Sequence, residues 1–309
     1  MDHKIFLSDP GIFKKGKYFF YHNTKERVTD KNTLIKLNGL RVPPAWTNVW
    51  YASNKKCHVQ VHGIDIGGKK QYILSELWIN SSKAGKFNRM KCFVKDINSF
   101  KRKIKLKGNE IITKEILLFL LFNLLIDLHI RVGNEIYAEK NSSYGLTTLR
   151  QKHLKKIENH YYFIFKGKSK IDHTIKIPLF YNKYFDQLKN VKNSKPLFQI
   201  NGVLISSEEL NMFLKENMGK DYTCKDFRTY SANILFIKSF KNANIHELLN
   251  ANGVKKIITN CIDHVAELLG HSRNISKKSY ISNNLIDYCL TNFDTAKNCS
   301  EVELINKIN

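Results

Sequence analysis

Residues 116–130 constrain this chain more than any other stretch. They hold twelve apolar side chains, interrupted only by Asn123, Asp127 and His129. A bilayer span needs about 20 apolar residues, so the segment is too short to cross a membrane. A helix apolar on every side must be wrapped by other elements. The sequence therefore predicts a buried core helix over residues 113–130, with the rest of a helical domain packed around it.

The flanking sequence divides into two kinds. The first 80 or so residues read as strands and turns: Val49-Trp50-Tyr51-Ala52, His58-Val59-Gln60-Val61-His62 and Gln71-Tyr72-Ile73-Leu74, with a turn at Gly67-Gly68-Lys69-Lys70. At Ser81-Ser82-Lys83-Ala84-Gly85-Lys86 the composition turns small and polar, and the domain boundary is placed there. Residues 1–81 are expected to be a β-rich domain and residues 82–309 a larger, mainly helical one. In the second, Ser206 and Glu209 have capping-box spacing, and a helix from Val254 to Leu269 should stop at Gly270. One β-hairpin interrupts the helices. His160-Tyr161-Tyr162-Phe163-Ile164-Phe165 and the alternating Ile171-Asp172-His173-Thr174-Ile175-Lys176-Ile177 flank Gly167-Lys168-Ser169-Lys170, which puts a lysine at the tip. The expected fold class is α+β, with two domains.

Charge gives the first indication of a partner. The chain has 51 Lys and Arg against 27 Asp and Glu, a net +24. Residues 1–81 carry 13 basic and 6 acidic side chains, +7, which leaves +17 for the remainder. Excess charge spread over both domains fits a long polyanion better than a short basic tail would. The abundance of Lys, Asn and Ile also suggests AT-rich coding, one source of lysine without function. No one-sided basic amphipathic helix argues for a membrane surface. The six cysteines form no C-x-x-C pair, so zinc ribbons and fingers are not expected. Met1-Asp2-His3-Lys4-Ile5 lacks a basic start followed by an apolar run, so no secretory leader is expected and the compartment should be intracellular and reducing.

Gly167-Lys168-Ser169 resembles the end of a phosphate-binding loop. The position five residues earlier is Tyr162 rather than Gly, and a strand follows instead of a helix, so a nucleotide site is rejected. Taken in order, Arg131, Lys168, Arg228, His271 and Tyr280 form a different set. Breaking a DNA phosphodiester without a metal needs a nucleophile, and Tyr can form a covalent phosphodiester. It needs fixed donors on the non-bridging oxygens, which Arg and His supply. It also needs a proton for the leaving 5′ oxygen, which Lys can give.

The local sequences around these residues carry a resemblance. Arg131-Val132-Gly133-Asn134-Glu135-Ile136-Tyr137-Ala138, Ser143-Tyr144-Gly145-Leu146-Thr147-Thr148-Leu149, Lys225-Asp226-Phe227-Arg228-Thr229-Tyr230, Leu269-Gly270-His271 and Ser279-Tyr280 are similar to the motifs of type IB DNA topoisomerases of the small poxvirus, giant-virus and bacterial kind. The resemblance runs from Val42-Pro43-Pro44-Ala45-Trp46-Thr47 to Tyr280. It implies Tyr280 as nucleophile, forming a 3′-phosphotyrosyl link. It implies Arg131, Arg228 and His271 as holders of the scissile phosphate, and Lys168 as general acid assisted by Arg131.

By the same resemblance, Gln71 and Tyr72 would reach base edges. Tyr137, Lys225 and Asn233 would lie near the DNA backbone or the active site. Leu74 stands where the poxvirus pattern has a second tyrosine, which sets a poxvirus-like target preference aside. The implied partner is double-stranded DNA, held by a monomer acting as a clamp, with no metal, ATP or other nucleotide cofactor. For a viral chain the location would be the virion or the host cytoplasm. The alternative is a tyrosine recombinase, which shares the catalytic set. Recombinases usually carry His three residues before the second Arg, where this chain has Lys225, and usually begin with a helical domain.

Overall fold

The computed structural model describes residues 8–189, 193–219, 221–244 and 251–308. The opening Met1-Asp2-His3-Lys4-Ile5 lies outside them. The chain packs as two units, Met1–Lys86 and Phe87–Asn309.

The first unit is built on a five-stranded antiparallel sheet. Its strands are β1 (Ile12–Lys15), β2 (Tyr18–Tyr21), β3 (Thr47–Tyr51), β4 (Val59–Ile64) and β5 (Lys70–Leu74), in the order β2-β1-β3-β4-β5. The expected strands near Trp50, Val61 and Ile73 are present. The β1–β2 hairpin and the nine-residue helix α1 (Lys31–Gly39), capped by Asp30 through the Thr33 amide, were not anticipated. One sheet face closes over Ile12, Phe19, Val28, Leu37, Tyr51 and Val61. The other bears the cross-strand row Trp50, His62 and Tyr72. The Trp50 and His62 rings stack at 5.1 Å.

Helix α2 (Glu76–Lys103) contains the small, polar segment at residues 81–86 as helix. Beyond Lys86, its Phe87, Met90, Phe93, Val94, Ile97 and Phe100 enter the core of the second unit at helical spacing. At the centre of that core is α3 (Lys114–Asp127), capped by Thr113. Leu117, Leu120, Leu121, Phe122 and Leu124 on it are fully buried. No described helix is long and apolar enough to cross a membrane. The helix stops at Asp127 rather than Ile130, because His129 adopts a left-handed φ of 52° that turns the chain out of the helix. That turn matters for the site below.

After α3 come α4 (Glu135–Asn141) and a three-stranded antiparallel sheet of β6 (Leu154–Ile157), β7 (His160–Lys166) and β8 (Asp172–Lys176). Helices α5 (Asn182–Leu188), α6 (Ser207–Met218), α7 (Cys224–Asn242), α8 (Ala251–Leu269), α9 (Arg273–Ser279), α10 (Asn283–Thr291), α11 (Phe293–Asn298) and α12 (Glu301–Ile305) follow. Ser206 caps α6 through the Glu209 amide, as its spacing suggests, while the Glu209 carboxylate pairs with Lys114.

Two lysines hold α7 and α11 end to end. Lys297 donates to the carbonyls of Phe240, Lys241 and Ala243 at 2.7–3.0 Å, and Lys241 donates to those of Lys297 and Cys299. Each ammonium thus meets the negative end of the other's helix.

Candidate active site

The site is organised around Arg228, in the second turn of α7. The helix start is fixed by a reciprocal cap between Thr223 and Asp226, and Arg89 pairs with the buried Asp226 at 2.9 Å. Phe227 turns into the core against Phe93 and Phe122. The next side chain, Arg228, faces the site and is only 6% exposed. Its Nη1 donates to the His129 carbonyl at 2.5 Å. Its Nη2 donates to the Leu269 carbonyl at 2.6 Å and meets His271 Nε2 at 2.7 Å. Among the described residues its Nε has no partner. The left-handed turn at His129 therefore has a purpose: it aims a carbonyl at the guanidinium. Burial, and then the charge of Arg131, push Arg228 down to about 9, while Tyr280 acts in the opposite sense. An arginine held on carbonyls, with one N–H unsatisfied, is a prepared anion site.

His271 is placed by the end of α8. Gly270, at a φ of 59°, closes the helix, and the His271 amide donates back to the Ala266 carbonyl at 2.8 Å. This is the six-residue return bond of a Schellman stop. Burial, then Arg228, Arg131 and Lys168, push the imidazole down to about 3. The ring is therefore neutral. Nε2 accepts from Arg228 and Nδ1 carries the proton, facing Ser276 Oγ at 3.5 Å. Ser272 caps α9, at whose end Tyr280 sits. The Tyr280 ring stacks on His271, with centroids 4.5 Å apart and planes 20° from parallel. A phenolate there would favour the charged forms of both Arg131 and Arg228.

Asn233, expected near the DNA backbone or the active site, lies against the backbone of Tyr280. It is 0% exposed. Its Nδ2 donates to the Thr229 and Tyr280 carbonyls at 2.7 and 3.0 Å, and its Oδ1 accepts from the Ser282 amide at 2.9 Å. Fully engaged and buried, it clamps the backbone on both sides of Ile281 to α7. An Asn233→Ala protein is expected to lose about 1–3 kcal/mol of stability from the orphaned Tyr280 carbonyl and Ser282 amide. Any chemistry that depends on Tyr280 should slow by about 10²-fold through misplacement. Chemical denaturation and single-turnover kinetics would check both effects; an unchanged rate would show that the clamp is not needed.

Arg131 comes from the loop after α3, and backbone packing sets its path. The Leu146 amide donates to the Arg131 carbonyl and the Thr147 amide to the Val132 carbonyl, both at 2.7 Å. A Cβ on Gly145 would come within 2.6–2.7 Å of the backbone of Arg131 and Gly133. Gly133 has a φ of 101°. The two glycines of the sequence motif are thus there to let two backbones touch. Asn134 caps α4 through the Tyr137 amide, and Glu135 pairs with Arg150 at 2.6 Å.

Lys168 is exposed at the tip between β7 and β8, where Ser169 and Lys170 both take positive φ. The hairpin is tied to the loop of Arg131 by the Tyr144 amide, which donates to the Lys166 carbonyl at 2.8 Å. Arg131, Lys168, Arg228 and His173 line one small cleft with the His129 and Leu269 turns. Among the described residues, no three His, Cys, Asp or Glu side chains come together as a metal-binding set. What does converge is cationic.

His129 and His173 were not anticipated. The left-handed turn at His129 has no sequence signal. The alternation of β8, which puts residue 173 on the inward face with Ile175 and Ile177, was a signal for His173. Tyr137 and Lys225 are both exposed, Lys225 in the first turn of α7. In the first unit, Gln71 and Tyr72 point to opposite faces of the edge strand β5. Tyr72 is half exposed, and Gln71 Nε2 donates to Asp65 at 2.7 Å.

Comparison with known proteins shows the family. The family model for the catalytic core of eukaryotic DNA topoisomerase I matches residues 75–301, and the model for the N-terminal domain of bacterial DNA topoisomerase IB matches residues 17–65. DNA topoisomerase 1B of Acanthamoeba polyphaga mimivirus is 32% identical over 306 residues, covering 94% of this chain and 90% of that protein. The chain belongs to the type IB DNA topoisomerases. DNA topoisomerase 1B of vaccinia virus (strain Copenhagen) and DNA topoisomerase I of monkeypox virus are each 27% identical over 294 residues, covering 89% of this chain and 88% of theirs.

The histidines of this topoisomerase set an acid limit on its stability. Burial pushes His129 and His153 down to about 4 and His271 to about 3. Each is neutral when folded and takes a proton near pH 6.5 when unfolded. The stability they contribute is complete above pH 6.5 and is lost as pH falls towards 4. After solvent screening, about 1 kcal/mol per histidine should be lost by pH 5. The urea midpoint is expected to drop between pH 7.5 and pH 5; an unchanged midpoint would contradict the assignment.

Proposed function

We propose that this chain relaxes supercoiled duplex DNA by transient cleavage of one strand, without ATP or metal. The observation that carries this reading is the cleft itself. Two arginines and a lysine on a hairpin line it, and Arg228 leads from it to a neutral histidine stacked on a tyrosine; among the described residues one buried N–H of Arg228 is unsatisfied. A phosphodiester supplies the missing charge. Arg131, Arg228 and His271 hold its non-bridging oxygens and stabilise the pentacoordinate phosphorane. To donate, His271 Nε2 must exchange its bond from Arg228 for a proton, which the incoming anion favours.

The Tyr280 oxygen attacks phosphorus, and its own proton leaves to solvent. The bond from phosphorus to the 5′ oxygen breaks, and Lys168 gives that oxygen a proton. The 3′-phosphotyrosine conserves the bond energy, so the 5′-hydroxyl can reverse the reaction after the free end has rotated. DNA torsion is the only driving force.

Residues 1–81 would serve as the DNA-binding domain and residues 82–309 as the catalytic domain, closing as a monomeric clamp around the duplex. Tyr72 and Gln71 would meet base edges. Gln71 would have to release Asp65 before it could pair bidentately with adenine. Tyr137 and Lys225 would meet the backbone. Lys225, three residues before Arg228, and the sheet of the first unit both favour this reading over a tyrosine recombinase. A DNA substrate inside the cell, or in the virion and host cytoplasm for a viral chain, fits the strong positive charge.

The test is plasmid relaxation in EDTA without ATP. A ladder of relaxed topoisomers is expected. Relaxation that appeared only on adding magnesium or ATP would overturn the mechanism.

A further inference from the structure

His173 is a titratable side chain in the cleft to which the proposed chemistry assigns no role. It lies on the inward face of β8 with Ile175, in line with the buried Ile177 just beyond the strand. Its ring stacks on that of its cross-strand partner Phe165, with centroids 5.0 Å apart and planes 18° from parallel. The ring fills a slot between two glycines. A Cβ on Gly167 would come within 2.6 Å of His173 Nε2, and one on Gly270 within 2.7 Å of its Cε1. Gly167 immediately precedes Lys168, and Gly270 immediately precedes His271.

One flat ring thus touches the shoulder of the hairpin that carries the proposed proton donor. It also touches the helix stop that carries a proposed phosphate ligand. A contact this close on both sides transmits position, because packed groups do not deform continuously.

The surroundings disfavour a charge on the ring. Burial, then Arg131 and Arg228, hold His173 below its ordinary range. The neighbouring Asp172 lies in the outward register of β8 and pairs with Lys166 at 2.9 Å. Arg131, Lys168 and Arg228 line the same cleft. A permanent cation at residue 173 would be repelled, and an aliphatic chain would not lie flat between Phe165 and the two glycines.

We infer that His173 is a positioning residue for the proton donor: wedged between Gly167 and Gly270, it sets where Lys168 stands relative to the scissile phosphate. This rests on the reading of Lys168 as general acid.

The two ideas separate on a duplex containing a mapped cleavage site whose bridging 5′ oxygen is replaced by sulfur. A thiolate leaves without a proton, so the sulfur strand does not need a general acid. Single-turnover cleavage is measured for the wild type, Lys168→Ala, His173→Ala and His173→Phe on oxygen and sulfur strands. His173→Ala should cleave the oxygen strand about 10²-fold more slowly, the usual cost of a misplaced catalytic group. It should recover to within a few-fold of wild type on sulfur, as Lys168→Ala does. His173→Phe, which keeps the flat ring, should stay within a few-fold of wild type on both strands.

If Lys168→Ala recovers on sulfur and His173→Ala does not, His173 acts on the fold or the phosphate pocket and the inference is overturned. A Phe variant as slow as Ala would overturn the steric account. Failure of Lys168→Ala itself to recover would overturn the proton-donor reading, and this inference with it.

Discussion

A Tyr280→Phe protein is expected to bind supercoiled plasmid as tightly as the wild type and to leave it supercoiled. The substitution keeps the ring that stacks on His271 and keeps the backbone carbonyl that accepts from Asn233. It removes only the oxygen that would bond to phosphorus. Loss of a covalent nucleophile costs on the order of 10⁶-fold in comparable enzymes, so relaxation should be undetectable. A strand labelled on the 5′ side of the cleavage site should become linked to wild-type protein on a denaturing gel and stay free with the variant. A covalent adduct formed by Tyr280→Phe would move the nucleophile to another residue and sink the assignment.

The second large effect is expected at Arg228, and there activity and stability should part company. Among the described residues no carboxylate pairs with the charged, buried Arg228, and its depression to about 9 corresponds to about 5 kcal/mol of unfavourable charge. Against this stand bonds to the His129 and Leu269 carbonyls and to His271, each contributing about 1–1.5 kcal/mol. The two nearly cancel. Replacing Arg228 with Met should therefore shift the melting temperature by only a few degrees. Cleavage should fall by about 10³-fold, because the preorganised donors on the phosphorane are lost. Arg228→Lys should be almost as slow, since an ammonium cannot reproduce a fork of N–H groups directed at several acceptors. Inorganic phosphate should raise the melting temperature of the wild type and leave Arg228→Met unmoved. A variant that melted far below the wild type would show that the site is structural rather than held ready for an anion.

Much of this arrangement was legible in the sequence, and its gaps have physical reasons. The buried helix, the hairpin and the stop at Gly270 were readable because each is a local pattern: an apolar run, a period of two, a glycine after an amphipathic stretch. The five candidate catalytic residues were readable only as an ordered set matching a family, since the contacts that fix Arg228 among them span 41 to 99 residues of chain. What was missed involves backbone. The early end of α3 depends on a left-handed histidine that no propensity predicts, and the role of Asn233 depends on two backbone groups some fifty residues away. The resemblance leaves Asn233 near either the DNA backbone or the active site, because a family motif records which residue stands at a position but not which way it faces. His173 was visible as an inward residue in an alternating strand, but nothing local revealed the two glycines that close on it.

Helix α7 carries both the guanidinium proposed to hold the phosphate and, five residues later, the amide that grips the backbone of the proposed nucleophile. On that proposal, nucleophile and phosphate anchor are measured off a single rigid ruler. While a broken strand swivels under load, torque that bends the surroundings would move both marks together and leave the gap between them unchanged. An enzyme built this way can let go of a spinning end without losing its place, and the returning 5′-hydroxyl finds the phosphotyrosine at the same setting at which it left.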